Sequence, residues 1–137
     1  FGLLAGVGFF RTTDTNNMAQ LGNVRLVQPN VAQNKKWDPV KVPSHIERML
    51  ALTRGETGDT RRDIGLVVWP EASVAYRLDQ AELVLQAAAQ AARAGAGPQA
   101  RVVLGINRTD GENWYNALAD VGPDGRVSAL HRVMLCV

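Results

Sequence analysis

A carboxylate set directly after a buried apolar run is the group in this sequence best situated for chemistry. Val67-Val68-Trp69-Pro70-Glu71-Ala72 reads as a strand that ends at a proline and hands over at once to a glutamate. In open α/β sheets, ligands bind outside the carboxyl ends of the strands. A general base would therefore sit at Glu71, its affinity for a proton tuned by partial burial against Trp69. A loop glutamate that caps the next segment is the plainer alternative. Gln33-Asn34-Lys35-Lys36-Trp37-Asp38-Pro39 sets an aromatic beside two lysines and could line an acidic or lipid-facing cleft; an exposed loop with Trp37 packed down is the plainer reading. Trp114-Tyr115-Asn116 enters a strand and, taken alone, is a hydrogen-bonded strand start. Cys136 is the sole thiol, but it lies in an apolar run with no adjacent cation and at no strand-to-helix turn, so it reads as a structural cysteine. His45 and His131 have no Cys or carboxylate spaced to join them in a metal site, and no glycine loop for a phosphate opens a helix.

The elements that must position these groups follow from the apolar pattern. Val24–Val27 reads as a strand closed by Gln28-Pro29-Asn30. Ser44 with Glu47 has the spacing of a capping box, and Ile46, Met49, Leu50 and Thr53 share one face, which predicts a helix over 44–54. A polar loop over 54–63 leads to Ile64–Trp69, a continuous apolar run that predicts a strand buried on both faces. Asp79 and Glu82 cap a second, alanine-rich helix that runs to Ala94 and stops at Gly95. Strands follow at 101–106, 115–121 and 126–133, the last two joined by the turn Gly122-Pro123-Asp124-Gly125. Helical crossovers between the early strands imply parallel neighbours, and the hairpin adds an antiparallel pair. The class is α/β with a mixed sheet.

The 137 residues suffice for one domain with a modest core. An apolar content of 46% and a charged content of 20% argue against disorder and against a disulfide-built miniprotein. A net charge of +2 does not imply a nucleic-acid partner. Phe1–Phe10 carries no charge and is about half the length of a membrane span, so it reads as a buried element or as the end of a transmembrane helix. Residues 11–23 read as a polar linker. The chain starts on Phe and stops within the apolar run 133–137, and we expect a fragment whose domain begins at residue 24.

Four segments recur in a fixed order: Val24–Asn30 (VRLVQPN), Lys36–Pro39 (KWDP), Leu66–Ala72 (LVVWPEA) and Tyr115–Gly125 (YNALADVGPDG). Together they resemble the carbon–nitrogen hydrolase, or nitrilase, superfamily. The strand ending in Gln-Pro-Asn, with KWDP soon after, is similar to its membrane branch, the apolipoprotein N-acyltransferases.

The resemblance implies an α-β-β-α sandwich, of which this chain would be a part. It implies a Glu-Lys-Cys triad in which Glu71 is the base and a cysteine carries the acyl chain as a thioester. It implies a phospholipid acyl donor, a diacylglyceryl lipoprotein acceptor, no cofactor and no metal, and a bacterial inner-membrane location with the domain facing the periplasm. Trp37 falls on the family's KW tryptophan, expected to line the acyl or headgroup pocket. Arg132 falls on the position of the family's lysine, and no lysine follows Lys41. The family's nucleophile has no counterpart in this chain, so the polypeptide alone is expected to be inactive. A soluble nitrilase-type amidase acting on small amides and a non-catalytic α/β interaction module are the alternatives. The two enzymatic readings expect Glu71 and Arg132 side by side under one pocket.

Overall fold

A computed structural model of the protein describes residues 22–56 and 58–133. The expectations for residues 1–10, most of 11–23, and Cys136 lie outside the described residues. Among the described residues, six strands and two α-helices follow in the order β1 (Asn23–Leu26), α1 (Val42–Arg54), β2 (Ile64–Val68), β3 (Val74–Arg77), α2 (Glu82–Gly95), β4 (Arg101–Asp110), β5 (Asn113–Val121) and β6 (Val127–Val133). All six strands form one mixed sheet in the order β1-β2-β4-β5-β6. The pairs β1–β2, β2–β4 and β3–β4 are parallel; β4–β5 and β5–β6 are antiparallel. The parallel half and the antiparallel half arise as the connections dictate, helices for the first and tight turns for the second.

Side chains alternate across the sheet, and among the described residues the helices cover one face. On that face Val67, Val102, Leu104, Ile106, Ala117, Ala119 and Val121 meet Met49 and Leu50 of α1 and Leu85, Ala88 and Ala92 of α2 in a single core. The alanines are small enough to bring α2 close to the sheet. At Gly95 a Cβ would overlap the Arg54 main chain, so this glycine permits the approach of α2 to the end of α1. It is the last residue of α2, which we had expected to stop one residue earlier. Arg25 projects from β1 into this layer and is 5% exposed. Its guanidinium donates to the Thr53 carbonyl at 2.7 Å and the Gly95 carbonyl at 2.8 Å. One cation thus serves the carboxyl ends of both helices, where unpaired carbonyls gather negative charge.

The opposite face has no such cover among the described residues. Val24 is 49% and Leu26 76% exposed, while Leu66, Val68, Val103 and Leu118 are half-buried. The expectation that β2 is buried on both faces is therefore corrected. Ile64 and Val67 are buried beneath the helices, whereas Gly65 is exposed and Leu66 and Val68 are only partly covered.

Three local expectations also change. Helix α1 starts at Val42, with Pro43 in its first turn. The Ser44 hydroxyl donates to the Lys41 carbonyl and Glu47 pairs with Arg54, so the capping box is absent. Asp79 lies in a 3-10 turn held by Arg77 and does not cap α2, which begins after Ala81. Strand β3, absent from the sequence reading, takes the same edge of β4 that β2 leaves, and β4–β5 is a longer hairpin turning at Gly111 with φ 61°. The turn at 122–125 forms as expected, with Gly125 at φ 80° and the Gly122 N–H donating to the Arg126 carbonyl.

Candidate active site

β2 and β3 run along the same edge of β4, one after the other, and residues 69–73 leave the sheet between them. β2 pairs with β4 up to Val68↔Val103 and β3 resumes at Val74↔Ile106. The outgoing turn is anchored at both ends. The Trp69 N–H donates to the Val103 carbonyl at 2.8 Å, and the Ser73 hydroxyl to the Gly105 carbonyl at 3.3 Å. Beneath it, Trp69 is 2% exposed on the helix side, its indole N–H donating at 2.9 Å to the Thr53 hydroxyl.

Glu71 is carried outward on the uncovered side. A Cβ at Gly105 would lie 2.5 Å from the Ala72 nitrogen and 2.8 Å from the Glu71 Cα, so only glycine lets the turn settle onto β4. Ala72 takes φ 46°, a left-handed conformation that costs a non-glycine residue roughly 1–2 kcal/mol and persists where surrounding contacts hold it. The Lys36 ammonium supplies one such contact, donating to the Glu71 carbonyl at 2.8 Å. The carboxylate of Glu71 is exposed and accepts a hydrogen bond from the Asn116 side-chain N–H at 3.3 Å. It is not packed against Trp69, as we had expected: the indole lies below the sheet and the carboxylate above it.

One cavity borders this turn and a second opens beside β3. The first, about 200 Å³, is lined by Lys36, His45, Met49, Pro70 and Ser73 between α1 and the carboxyl ends of β1 and β2. The other, about 450 Å³, is lined by Trp37, Tyr76, Arg77, Asn107 and Trp114. Trp37 and Trp114, far apart in sequence, thus share one groove, and both are solvent-exposed. Among the described residues no group of three His, Cys, Asp or Glu could hold a metal ion.

Arg132 does not join this assembly. It lies opposite Ala117 across the β5–β6 pair, on the helix-side face, and its guanidinium rests 4.0 Å from the Tyr115 ring centroid. Among the described residues Glu71 makes no ion pair. The expected Glu71–Arg132 juxtaposition is absent because a one-residue step along a strand reverses the face. Asn116 turns toward Glu71 while Tyr115 turns toward Arg132. The cation beside Glu71 is Lys36, which the sequence offered as part of the KW segment without linking it to the base. Gly105 could not be found from the sequence, because its role depends on which strand the turn crosses.

No family model matches the chain. By sequence it is 30% identical over 111 residues to the apolipoprotein N-acyltransferase of Methylococcus capsulatus, covering 80% of this chain and 21% of that protein. It is 27% identical over 106 residues to the Brucella suis protein of the same name, covering 76% of this chain and 20% of that one. The Pseudomonas putida protein of that name is 42% identical over 59 residues, 43% of this chain and 11% of the relative. The chain spans about a fifth of the length of the first two relatives. By structure it resembles an N-terminal amidase solved with an Asn-Glu-Ala peptide, with a TM-score of 0.60, 15% identity, and coverage of 83% of this chain and 28% of that one. It also resembles a carbon–nitrogen hydrolase from Helicobacter pylori, with a TM-score of 0.56, 15% identity, and coverage of 82% and 39%. Among the described residues no helix is long and apolar enough to cross a membrane. The chain therefore has the carbon–nitrogen hydrolase fold, and over about three quarters of its length it is a sequence relative of the apolipoprotein N-acyltransferases.

Proposed function

We propose that these residues form the general-base segment of an N-acyltransferase. The enzyme would move a fatty acyl chain from a phospholipid to the α-amine of an N-terminal diacylglyceryl-cysteine, at the bacterial inner membrane with this domain facing the periplasm. The observation that carries the reading is the presentation of Glu71. A glutamate is lifted out of the sheet at the carboxyl end of a parallel strand, with Lys36 on its main chain and Asn116 on its carboxylate.

In this reading Glu71 takes the proton of a cysteine thiol, and the thiolate attacks the ester carbonyl of the phospholipid. The lysophospholipid oxygen leaves with the proton and an acyl thioester forms. The lipoprotein amine then attacks the thioester and gives a proton to Glu71, the thiolate departs, and an amide results. These two half-reactions through one covalent intermediate follow the ping-pong pattern. The thiol comes from outside the matched segment, since Cys136 is not assigned that role, and the polypeptide alone transfers no acyl group. Trp37 lines the groove in which the acyl chain or headgroup lies. Arg132 stands at the sequence position of the family's lysine, but its charge is directed to the Tyr115 ring, away from the base.

A chimera tests the reading. Residues 24–133 would replace the corresponding segment of the Methylococcus capsulatus relative, and transfer to a diacylglyceryl-cysteine peptide would be measured. Transfer should occur, and Glu71→Gln should lower it by about a hundredfold to ten-thousandfold. A folded chimera whose rate is indifferent to Glu71→Gln would sink the proposal. Likeness of fold to amidases supports a second reading, hydrolysis of small amides. Ammonia release from amides without acyl transfer to the peptide would select it.

A further inference from the structure

We propose that Lys36 is a positioning residue for Glu71: its ammonium selects one of two rotations of the Glu71–Ala72 peptide, and the selected one presents the base. This deepens the general-base reading and rests on it for its kinetic consequence alone.

The peptide is gripped from two directions. Its oxygen accepts from the Lys36 ammonium at 2.8 Å, across 35 residues of chain. Its other atoms lie against β4: a Cβ at Gly105 would find the Ala72 nitrogen, the Glu71 Cα and the Glu71 carbonyl carbon nearest, and not the oxygen. A trans peptide sets its N–H opposite its C=O, so the amide is turned away from Lys36 while the ammonium holds the oxygen. Ala72 bears the strain of this setting, with φ 46°. Turning that one peptide over returns the following residue to negative φ, the change that separates a type II turn from a type I turn. For a non-glycine residue the left-handed setting is disfavoured by a factor of about five to thirty.

A contact must therefore hold the peptide against its relaxed alternative. The Trp69 N–H and the Ser73 hydroxyl anchor the two ends of the turn to β4 but do not touch this peptide. Lys36 does, and among the described residues its ammonium forms no ion pair; Asp38, two residues on, is taken by Lys41. A charged donor on a carbonyl is stronger than a neutral one. Once turned over, the peptide would press its oxygen toward β4, where Gly105 already leaves no room for a methyl group. The turn would then rise and draw Glu71 away from Asn116, now at 3.3 Å.

Two variants and NMR on the full chain test this. The Ala72 amide proton should show an Overhauser effect to the Gly105 α-protons that Lys36→Met weakens. Adding Ala72→Gly should restore most of it, because glycine takes positive φ as readily as negative. In the Methylococcus capsulatus chimera, Lys36→Met should lower kcat by about fivefold to thirtyfold at unchanged KM, and Ala72→Gly should recover the rate. An Overhauser effect indifferent to Lys36→Met overturns the proposal. So does a loss of rate that Ala72→Gly leaves in place, since the ammonium then acts on something other than this peptide. An Overhauser effect that follows Lys36, beside a chimera indifferent to Glu71→Gln, supports the positioning role and ends the general-base reading. Should Lys36→Met fail to fold, the scalar coupling across the hydrogen bond from Lys36 Nζ to the Glu71 carbonyl carbon is measured in the unaltered chain. Its presence supports the proposal and its absence overturns it.

Discussion

The two faces of this sheet are made by the same six strands and serve different ends. Beneath the helices no buried side-chain polar atom of the described residues is left without a partner. Arg25 bonds four main-chain carbonyls and one carboxylate. Trp69 donates to Thr53, whose hydroxyl donates in turn to the Met49 carbonyl at 2.8 Å. On the other face the apolar side chains are half open, and the one well-positioned carboxylate stands in solvent. The contrast teaches that position and stability come from opposite sides of one strand. Trp69, pointing down, fixes where β2 ends; Glu71, two residues later, is presented by that fixed end.

Removing Arg25 should break the contrast most severely. Arg25→Met keeps much of the stem but takes the donor from the Thr53 carbonyl and leaves the Gly95 carbonyl to Arg62 alone. The expected loss is about 3–5 kcal/mol, measured by urea unfolding. Trp69→Phe should cost less, about 1–3 kcal/mol, because it leaves the buried Thr53 hydroxyl without its indole partner and opens a small void. Hydrogen exchange at the amides of Glu71, Ala72 and Ser73 should quicken with it.

An acid titration sharpens the same comparison. The Arg25 guanidinium, and then the Arg61 backbone N–H, hold the Asp59 carboxyl below its ordinary value of 3.8. A depressed carboxyl contributes stability above its unfolded value and loses it as the pH falls through the folded value. The described chain should therefore weaken as pH drops below about 4, and Asp59→Asn should remove that part of the acid response. The smallest effect belongs to the open face. Leu26→Gln, at a site 76% exposed, should change stability by less than about 0.5 kcal/mol. A large loss there would show that the face is covered.

Much of this architecture is legible in the sequence. The apolar runs at 24–27, 64–69, 101–106 and 115–121 locate strands, and helical crossovers and Gly-Pro-Asp-Gly give the mixed sheet. Capping was misread because Ser44 and Asp79 have nearer partners than the helix amides, namely the Lys41 carbonyl and the Arg77 guanidinium. β3 was invisible because four residues of mixed burial carry little periodicity. In the site, the position of Glu71 could be read from the proline that ends its strand. Lys36, Asn116 and Gly105 could not be linked to it, since each reaches Glu71 through tertiary contact across 34 to 45 residues. The face on which Arg132 falls was equally hidden, because it depends on register, which a family motif does not carry.

The central claim is that the turn bearing Glu71 lies pressed onto β4 at Gly105, and NMR tests it most directly. A strong nuclear Overhauser effect between the Gly105 α-protons and the Ala72 amide proton is the predicted result, and Gly105→Ala should abolish it together with the Asn116–Glu71 contact. If the Ala72 amide shows no effect to Gly105, and its resonance is unmoved by Gly105→Ala, the turn is not held where this account needs it.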